Sequence, residues 1–175
     1  MDEKDFIKVL QLYRHDLINH LQVIQGYVNM DQLDKVKSKV NDLWNHLNQE
    51  KILVHTDAPK FIFWILQVNH VEENIRIKYH FIDKIKLGLI DELLTEHCKQ
   101  LVEQIKNNGE NFKLYEVNIS FLKNKSSQIV VNFNIQGEIK LELMMSNLSQ
   151  LELNHYLDIK QTSNGLDCNL TYSLI

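Results

Sequence analysis

The stretch IKVLQLYRHDLINHLQVIQGYV, residues 7–28, decides the N-terminal fold because its apolar residues recur every three or four positions. The members of this seam are Ile7, Leu10, Leu17, Leu21, Ile24 and Val28, with Arg14 in its one polar slot. After a short break at residues 29–31, the same spacing returns in Leu33, Val36, Val40, Leu43 and Leu47. Two such seams predict two helices in an antiparallel hairpin, with Asp31 as the cap of the second helix.

The hairpin has more apolar surface than its two helices can cover for each other. We expect a second copy of the chain to cover the rest, so that a homodimer forms around a four-helix bundle. The alternative is that the seam packs against the rest of the same chain, and the apolar pattern leaves that alternative open.

The single proline, Pro59, marks the start of a second region. Asp57 is expected to cap a helix that begins there, because aspartate and an early proline are typical of helix starts. The apolar patterns beyond it predict helices at 61–71, 89–105 and 141–148, and strands at 75–81, 115–122, 129–135, 156–159 and 170–174. We therefore expect an α+β chain, with a hairpin domain at 1–55 and an α/β sandwich with a mainly antiparallel sheet at 56–175.

The composition narrows the classes of function. A formal net charge of −4 over 175 residues, without a basic tract, argues against nucleic-acid binding. No apolar run is long enough to span a bilayer and the N-terminus lacks the pattern of a signal peptide, so we expect a cytoplasmic protein without a membrane segment. Cys98 and Cys168 lie within apolar patterns and are expected to be buried free thiols.

A polar stripe runs along the first helix beside the apolar seam. Its members, spaced three or four residues apart, are Lys8, Gln11, His15, Asn19 and Gln22. His15 is thus expected to be exposed in mid-helix, where a partner can reach its nucleophilic imidazole. Arg14 is a candidate contact for a phosphate or an acidic partner loop, and Asn19 for phosphoryl oxygens or the imidazole. Asp16 points about 100° away from His15 on the helix, so its contact with the ring stays open.

The same residues also allow ordinary structural roles. A histidine on a polar helix face is usually a surface residue, and His20 is expected to be one at the edge of the bundle. His97 and Cys98 fit a helix core better than a metal site, because no second ligand pair follows at the right spacing. Packing in the core is expected of Trp44, Phe63 and Trp64, and a solvated helix face of Asp91, Glu92 and Glu96.

Residues 14–26, RHDLINHLQVIQG, closely resemble the phospho-acceptor helix of the sporulation initiation phosphotransferase B family and the dimerisation helices of related sensor histidine kinases. The matching elements are the Arg-His-Asp run, Asn19, the Leu21-Gln22 pair, Ile24 and Gly26. The resemblance implies that His15 accepts a phosphoryl group and that Arg14, Asp16 and Asn19 flank it. It also implies a dimeric bundle followed by a domain similar to a histidine-kinase ATPase domain that has lost nucleotide binding.

A kinase of this kind needs an Asn-bearing helix for magnesium, an Asp-x-Gly-x-Gly loop for adenine and a glycine-rich lid. Glu103 stands where the magnesium-binding Asn is expected, and no Asp-x-Gly-x-Gly occurs in the sequence. None of the five glycines lies close to another in sequence, so no backbone cradle for phosphates is encoded. We therefore expect that ATP is not a substrate and that the chain binds no cofactor, while Mg²⁺ arrives with the partner.

The resemblance therefore implies a phosphotransferase that carries phosphate on His15 between the aspartates of response regulators, which are its expected partners. The alternative is a non-enzymatic module that docks or sequesters a response regulator or a kinase, with His15 vestigial. The two hypotheses differ in whether a labelled phosphoryl group is transferred to His15 from a phosphorylated regulator in the presence of Mg²⁺.

Overall fold

The computed structural model describes residues 3–110, 113–137, 141–148 and 156–173. The chain divides into two compact units, Met1–Lys51 and Ile52–Ile175. We call the first the hairpin unit and the second the sandwich unit. The expected fold class, a helical N-terminal region followed by a mixed α/β region, is confirmed.

Two long helices form the hairpin unit: α1 spans Glu3–Asn29, and α2 begins at Leu33 and continues to Leu53. The tight turn between them is closed by backbone hydrogen bonds from Asp31 to Val28 and from Gln32 to Tyr27. The prediction that Asp31 caps α2 is wrong. Asp31 has a φ of +54°, so it forms the turn itself, and Gln32 is the residue that directly precedes the helix.

The apolar seams of the hairpin unit remain largely accessible. Leu21 is 51% exposed, and Leu10, Val28 and Val40 are exposed to a similar degree. Trp44 is 65% exposed, so the expectation that it packs in a core is wrong within one chain. Among the described side chains of this unit none is fully buried. Two crossing helices bury only the sides that face each other, which explains both findings.

The sandwich unit is built on one five-stranded sheet in the order β1-β2-β3-β5-β4. The strands are Ile75–Phe81 (β1), Tyr115–Lys123 (β2), Ile129–Gln136 (β3), Leu157–Thr162 (β4) and Gly165–Tyr172 (β5). Only the β1–β2 pair is parallel, and the other three pairs are antiparallel. The prediction of a mainly antiparallel sheet is therefore confirmed. Leu174, which the sequence placed in the last strand, lies outside the described residues.

Three helices accompany the sheet: Pro59–Val71 (α3), Asp91–Asn108 (α4) and Leu141–Leu148 (α5). Side chains alternate between buried and accessible along β2, β3 and β5, so one face of the sheet lies in the core with the helices. Phe121 is central to it, since its ring stacks on Phe81 at 4.4 Å and meets Phe61 edge-on at 5.5 Å. Cys98 and Cys168 are both buried and free, as predicted.

The start of α3 differs from the prediction in one respect. The helix begins at Pro59, but Ala58 precedes it and Asp57 has a φ of +61°, so Asp57 is not the cap. Asp91 takes that role from the start of α4: its carboxylate accepts the backbone N–H groups of Lys60 at 3.0 Å and Phe61 at 2.8 Å. Asp91 is accordingly buried, which corrects its placement on a solvated helix face.

Smaller differences concern the ends of elements. Gly88–Ile90 forms a separate 3₁₀ turn before α4, so Leu89 is an exposed turn residue and not part of the helix. Tyr156 lies just before β4, which begins at Leu157. At the β4–β5 turn only glycine fits position 165, because a Cβ there would collide with the carbonyl oxygen of Ile135.

Candidate functional site

His15 lies in the middle of α1, and its side chain is 70% exposed. Gln11, Asn19 and Gln22 of the same stripe are exposed as well. Nothing is described of the Lys8 side chain. The stripe is open because the seam residues, three or four positions apart, turn to another side of the helix. An approaching partner can therefore reach the imidazole from solvent.

Two neighbours on the same helix meet one nitrogen of the His15 ring. The Asp16 carboxylate oxygen Oδ1 lies 3.4 Å from Nδ1. The Asn19 amide nitrogen Nδ2, one turn further on, lies 3.2 Å from the same Nδ1. The contact with Asp16 that the sequence left open is thus present. Within the described part of the chain, the polar contacts of this ring fall on Nδ1 and none falls on Nε2.

The two neighbours require opposite states of Nδ1. A carboxylate accepts hydrogen bonds, so it favours the form of His15 that carries its proton on Nδ1. An amide N–H donates, so Asn19 favours the form whose Nδ1 lone pair is free and whose proton is on Nε2. Only the first form leaves a lone pair on Nε2, the ring nitrogen on which no described polar contact falls, free for a nucleophilic attack.

The other predicted site residues do not join this contact. Arg14 and Gln22 are exposed on α1, and the described contacts of the His15 ring include neither of them. Both are within one or two turns of His15, so a ligand that contacts the ring from outside can also reach them. The structure therefore brings His15, Asp16 and Asn19 together and leaves Arg14 and Gln22 as flanking groups.

A second group of polar side chains connects α1 to α2 close to this site, and the sequence analysis missed it. Glu50 binds two partners, since Tyr13 donates its hydroxyl to Oε2 at 3.2 Å and His46 Nε2 lies 3.1 Å from Oε1. The rings of His20 and His46 are 6.1 Å apart. The four-residue spacing of Asp16 with His20 and of His46 with Glu50 was the available signal.

The surroundings change the titration of these groups in different directions. The hydrogen bond to Glu50 raises the pKa of His46, although partial burial opposes it. Burial lowers the pKa of His20, and the positive charge of Lys39 adds to that effect. Burial, followed by the charge of Glu50, raises the pKa of Tyr13. His20, expected to be an ordinary surface residue, therefore belongs to a group of interacting side chains.

The alternative metal pair of the sequence, His97 and Cys98, lies in the core of the sandwich unit. His97 is buried, and its Nδ1 is 2.9 Å from the hydroxyl of Tyr172. Burial raises the pKa of the Cys98 thiol well above its usual value, so it is a packed, protonated group. The prediction of core residues here is confirmed. Among the described residues, no three His, Cys, Asp or Glu side chains are arranged to hold a metal ion.

Two further observations concern Glu103 and the apolar character of the helices. Glu103, which stands where a kinase would carry its magnesium-binding Asn, is exposed on α4. In the described part of the chain, no helix combines the length and the apolar character that crossing a membrane requires.

The fold and the exposed His15 define a class of protein: a helical hairpin that presents an accessible histidine, followed by an α+β sandwich. Residues 1–56 match the family model described as Sensor_kinase_SpoOB-type, alpha-helical domain. The chain is also similar to Sporulation initiation phosphotransferase B of Bacillus subtilis (strain 168), with 26% identity over 98 residues. The resemblance expected from the Arg-His-Asp motif is therefore confirmed.

The aligned segment covers 55% of this chain and 51% of the Bacillus protein, so the match spans about half the length of that relative. Among solved structures, the Erythrobacter litoralis EL346 blue-light activated histidine kinase matches at 16% identity, with a TM-score of 0.41 over 98% of this chain and 60% of that chain. The histidine kinase domain from the same protein matches at 11% identity, with a TM-score of 0.47 over 97% of this chain and 93% of that one.

Proposed function

We propose that this protein is a histidine phosphotransferase of a two-component phosphorelay, and that it carries the phosphoryl group on His15 between response-regulator aspartates. The similarity of residues 1–56 to a SpoOB-type domain and of a longer segment to a phosphotransferase supports a two-component role. The observation that carries the finer proposal is the environment of His15: an exposed imidazole whose Nδ1 is in contact with Asp16.

The chemistry begins with His15 protonated on Nδ1. Its Nε2 lone pair attacks the phosphorus of an aspartyl phosphate on the donor regulator. An N–P bond forms, the acyl phosphate P–O bond breaks, and the regulator's carboxylate leaves with the electron pair. The product ring is cationic, and the Asp16 carboxylate stabilises the positive charge from the Nδ1 side. Attack by the carboxylate of an acceptor regulator then reverses these steps and returns neutral His15.

The flanking residues have separate roles in this proposal. Phosphoryl transfer depends mainly on positioning and on neutralising the charge of the equatorial oxygens. Asn19 donates its amide N–H to a phosphoryl oxygen when it is not in contact with the ring. Arg14 and Gln22 bind the partner's loops around the phosphorylated aspartate. Mg²⁺ enters with the acidic pocket of the regulator, and among the described residues no three His, Cys, Asp or Glu side chains are arranged to hold it.

The proposal includes a homodimer. The exposed seam residues Leu10, Leu21 and Val28, together with Val40 and Trp44, form apolar surface on both helices of the hairpin. A second hairpin covers such surface in a four-helix bundle, which removes the apolar side chains from water. His15 stays accessible because its stripe lies on another side of α1.

The sandwich unit takes no part in ATP chemistry in this proposal, and the cytoplasm, where response regulators reside, is the place of action. The sequence offers neither an Asp-x-Gly-x-Gly loop nor closely spaced glycines to hold a nucleotide. The phosphoryl group of His15 thus comes from another protein.

The test is transfer of label from a ³²P-phosphorylated response regulator in the presence of Mg²⁺. We expect acid-labile, alkali-stable label on the wild type and on the matched control His80→Ala, whose exposed histidine lies in β1. We expect none on His15→Ala. Incubation with labelled ATP alone should give no label on any of the three. Tight binding of a regulator without label would contradict transfer and favour a non-enzymatic docking module.

A further inference from the structure

Asp16 is a neighbour of His15 and also acts on the histidines His20 and His46. On one side its Oδ1 lies 3.4 Å from Nδ1 of His15. On the other side it is one helical turn from His20, the spacing at which side chains on a helix are neighbours. Its negative charge also favours the protonated form of His46 across the hairpin, in addition to the hydrogen bond that His46 donates to Glu50. The Asp16 carboxylate thus contacts His15, and its negative charge also acts on His20 and His46.

His46 is the histidine of this group most suited to carry a positive charge. Its Nε2 contacts Glu50 at 3.1 Å, and Glu50 is held in turn by the Tyr13 hydroxyl. His20, whose ring is 6.1 Å from that of His46, is disfavoured as a cation by burial and by Lys39. Asp42 on α2 also acts on His20, and its negative charge favours the protonated form. Of His20 and His46, it is therefore His46 whose protonated form the surroundings favour.

We propose that His46 is a positioning residue that controls, through Asp16, which nitrogen of His15 carries the proton. The inference rests on the phosphotransfer function proposed above, since that function needs the Nε2 lone pair. Asp16 and Asn19 compete for the same Nδ1 with opposite hydrogen-bonding roles, so His15 has two alternative proton positions. His46 selects between them.

The coupling follows from elementary electrostatics. When His46 is neutral, the Asp16 charge acts fully on His15 and stabilises its Nδ1–H form, which leaves Nε2 free to attack. When His46 is protonated, its positive charge offsets that of Asp16 and weakens the carboxylate as an acceptor. Asn19 then donates to Nδ1, the proton moves to Nε2, and His15 loses its nucleophilic lone pair. Because Glu50 raises the pKa of His46, this change occurs at higher pH than for an ordinary histidine.

The experiment uses the full chain labelled with ¹⁵N-histidine. Long-range ¹H–¹⁵N NMR between pH 6 and pH 9 reports the tautomer ratio of neutral His15 and the titration of His46, with signals assigned by single His→Gln variants. In the wild type we expect the ratio of the Nδ1–H form to the Nε2–H form to fall about threefold as His46 becomes protonated. In His46→Gln the ratio should not change with pH.

Two more variants make the result specific. Glu50→Gln removes the charge that favours protonated His46, so the change in ratio should move to lower pH. His80→Gln, with its exposed histidine in the sandwich unit, should behave as the wild type. A wild-type ratio that does not follow the titration of His46, or one that changes equally in His46→Gln, would overturn the proposal. If His46→Gln lowers stability, Glu50→Gln still gives the decisive shift in pH.

The NMR result and the labelling result can fail independently. A tautomer ratio that follows His46, with no label on His15 from any regulator, would sustain the coupling and reject phosphotransfer. Label on His15 together with a tautomer ratio that is independent of His46 would support phosphotransfer and reject the coupling. Where both succeed, the rate of labelling at pH 6.5 relative to pH 8 should be about threefold higher in His46→Gln than in the wild type.

Discussion

The hairpin unit and the sandwich unit bury their apolar side chains in different ways. In the sandwich unit the inner face of the sheet and the helices enclose fully buried side chains such as Phe121, Phe133 and Leu101. In the hairpin unit the apolar side chains of the seam are only partly covered, and Leu21 is about half exposed. One unit thus has a complete core within a single chain, whereas the other presents much of its apolar surface to solvent.

This difference indicates how each unit is stabilised. A buried core contributes roughly 25 cal/mol per Å² of apolar surface removed from water, so the sandwich unit gains its stability internally. The hairpin unit gains part of this only when a second surface covers its seam. The functional consequence is that the unit with the incomplete core also carries the exposed histidine, so association and access to His15 concern the same two helices.

The largest effect should come from matched Leu→Ala changes in the two units. Leu101→Ala removes a fully buried side chain from α4 and should lower the free energy of unfolding by about 2–5 kcal/mol. Leu21→Ala, half exposed in one chain, should cost clearly less at low protein concentration. Urea denaturation at two protein concentrations measures both. An equal loss for the two variants at the lower concentration would contradict the contrast between the units.

The next effect concerns Asp91, which stabilises the sandwich unit through backbone groups. Asp91→Ala leaves the N–H groups of Lys60 and Phe61 without their acceptor at the start of α3, and it should cost about 1–3 kcal/mol. The control is Glu103→Ala, an exposed acidic residue on the same helix, which should change stability by less than about 0.5 kcal/mol. Thermal unfolding followed by circular dichroism separates the two. Similar losses would show that Asp91 is not a cap in solution.

The third prediction concerns self-association of the hairpin unit through its apolar seam. Leu21→Glu places a charge in the seam of each copy, and it should weaken self-association at least about tenfold. The matched control Gln22→Glu adds the same charge on the polar stripe and should leave association unchanged. Sedimentation equilibrium measures both dissociation constants. A monomeric wild type at all concentrations would contradict the dimer and leave the seam to another partner.

The smallest effect is the pH dependence of the His46–Glu50 pair. Because the folded state raises the pKa of His46, the pair stabilises the hairpin fully below pH 6.5 and loses this contribution as the pH rises through the folded-state pKa. His46 is about half exposed, so the effect should be about 0.5 kcal/mol or less. Urea midpoints at pH 6 and pH 8 should differ less in His46→Gln than in the wild type. An unchanged difference would mean that the pair makes no net contribution.

Most helices and strands could be predicted from the sequence because their apolar periods are clear. The alternation of residues 75–81 and the seam of α1 each specify one element, and a local pattern is enough to identify them. The exposure of the His15 stripe follows from the same reasoning, since seam and stripe occupy different sides of one helix. The environment of His15 is also local, because Asp16 and Asn19 belong to the same two turns.

Contacts between distant segments could not be predicted in this way. Asp91 caps a helix whose first turn lies about thirty residues earlier, and only the packing of α4 beside α3 brings them together. The pairing of His46 and Glu50 with residues of α1 depends in the same way on how the two helices face each other. The prediction for Trp44 is wrong because it assumes that a large apolar side chain is covered, and within one chain nothing described covers it.

The described polar contacts of His15 arise within five consecutive residues of one helix, from His15 to Asn19. A histidine with surroundings encoded in so short a segment can be inherited as a unit, because these contacts do not depend on side chains brought in from remote parts of the chain. Selection can then act on the sandwich unit separately, and changes there need not disturb the surroundings of the histidine.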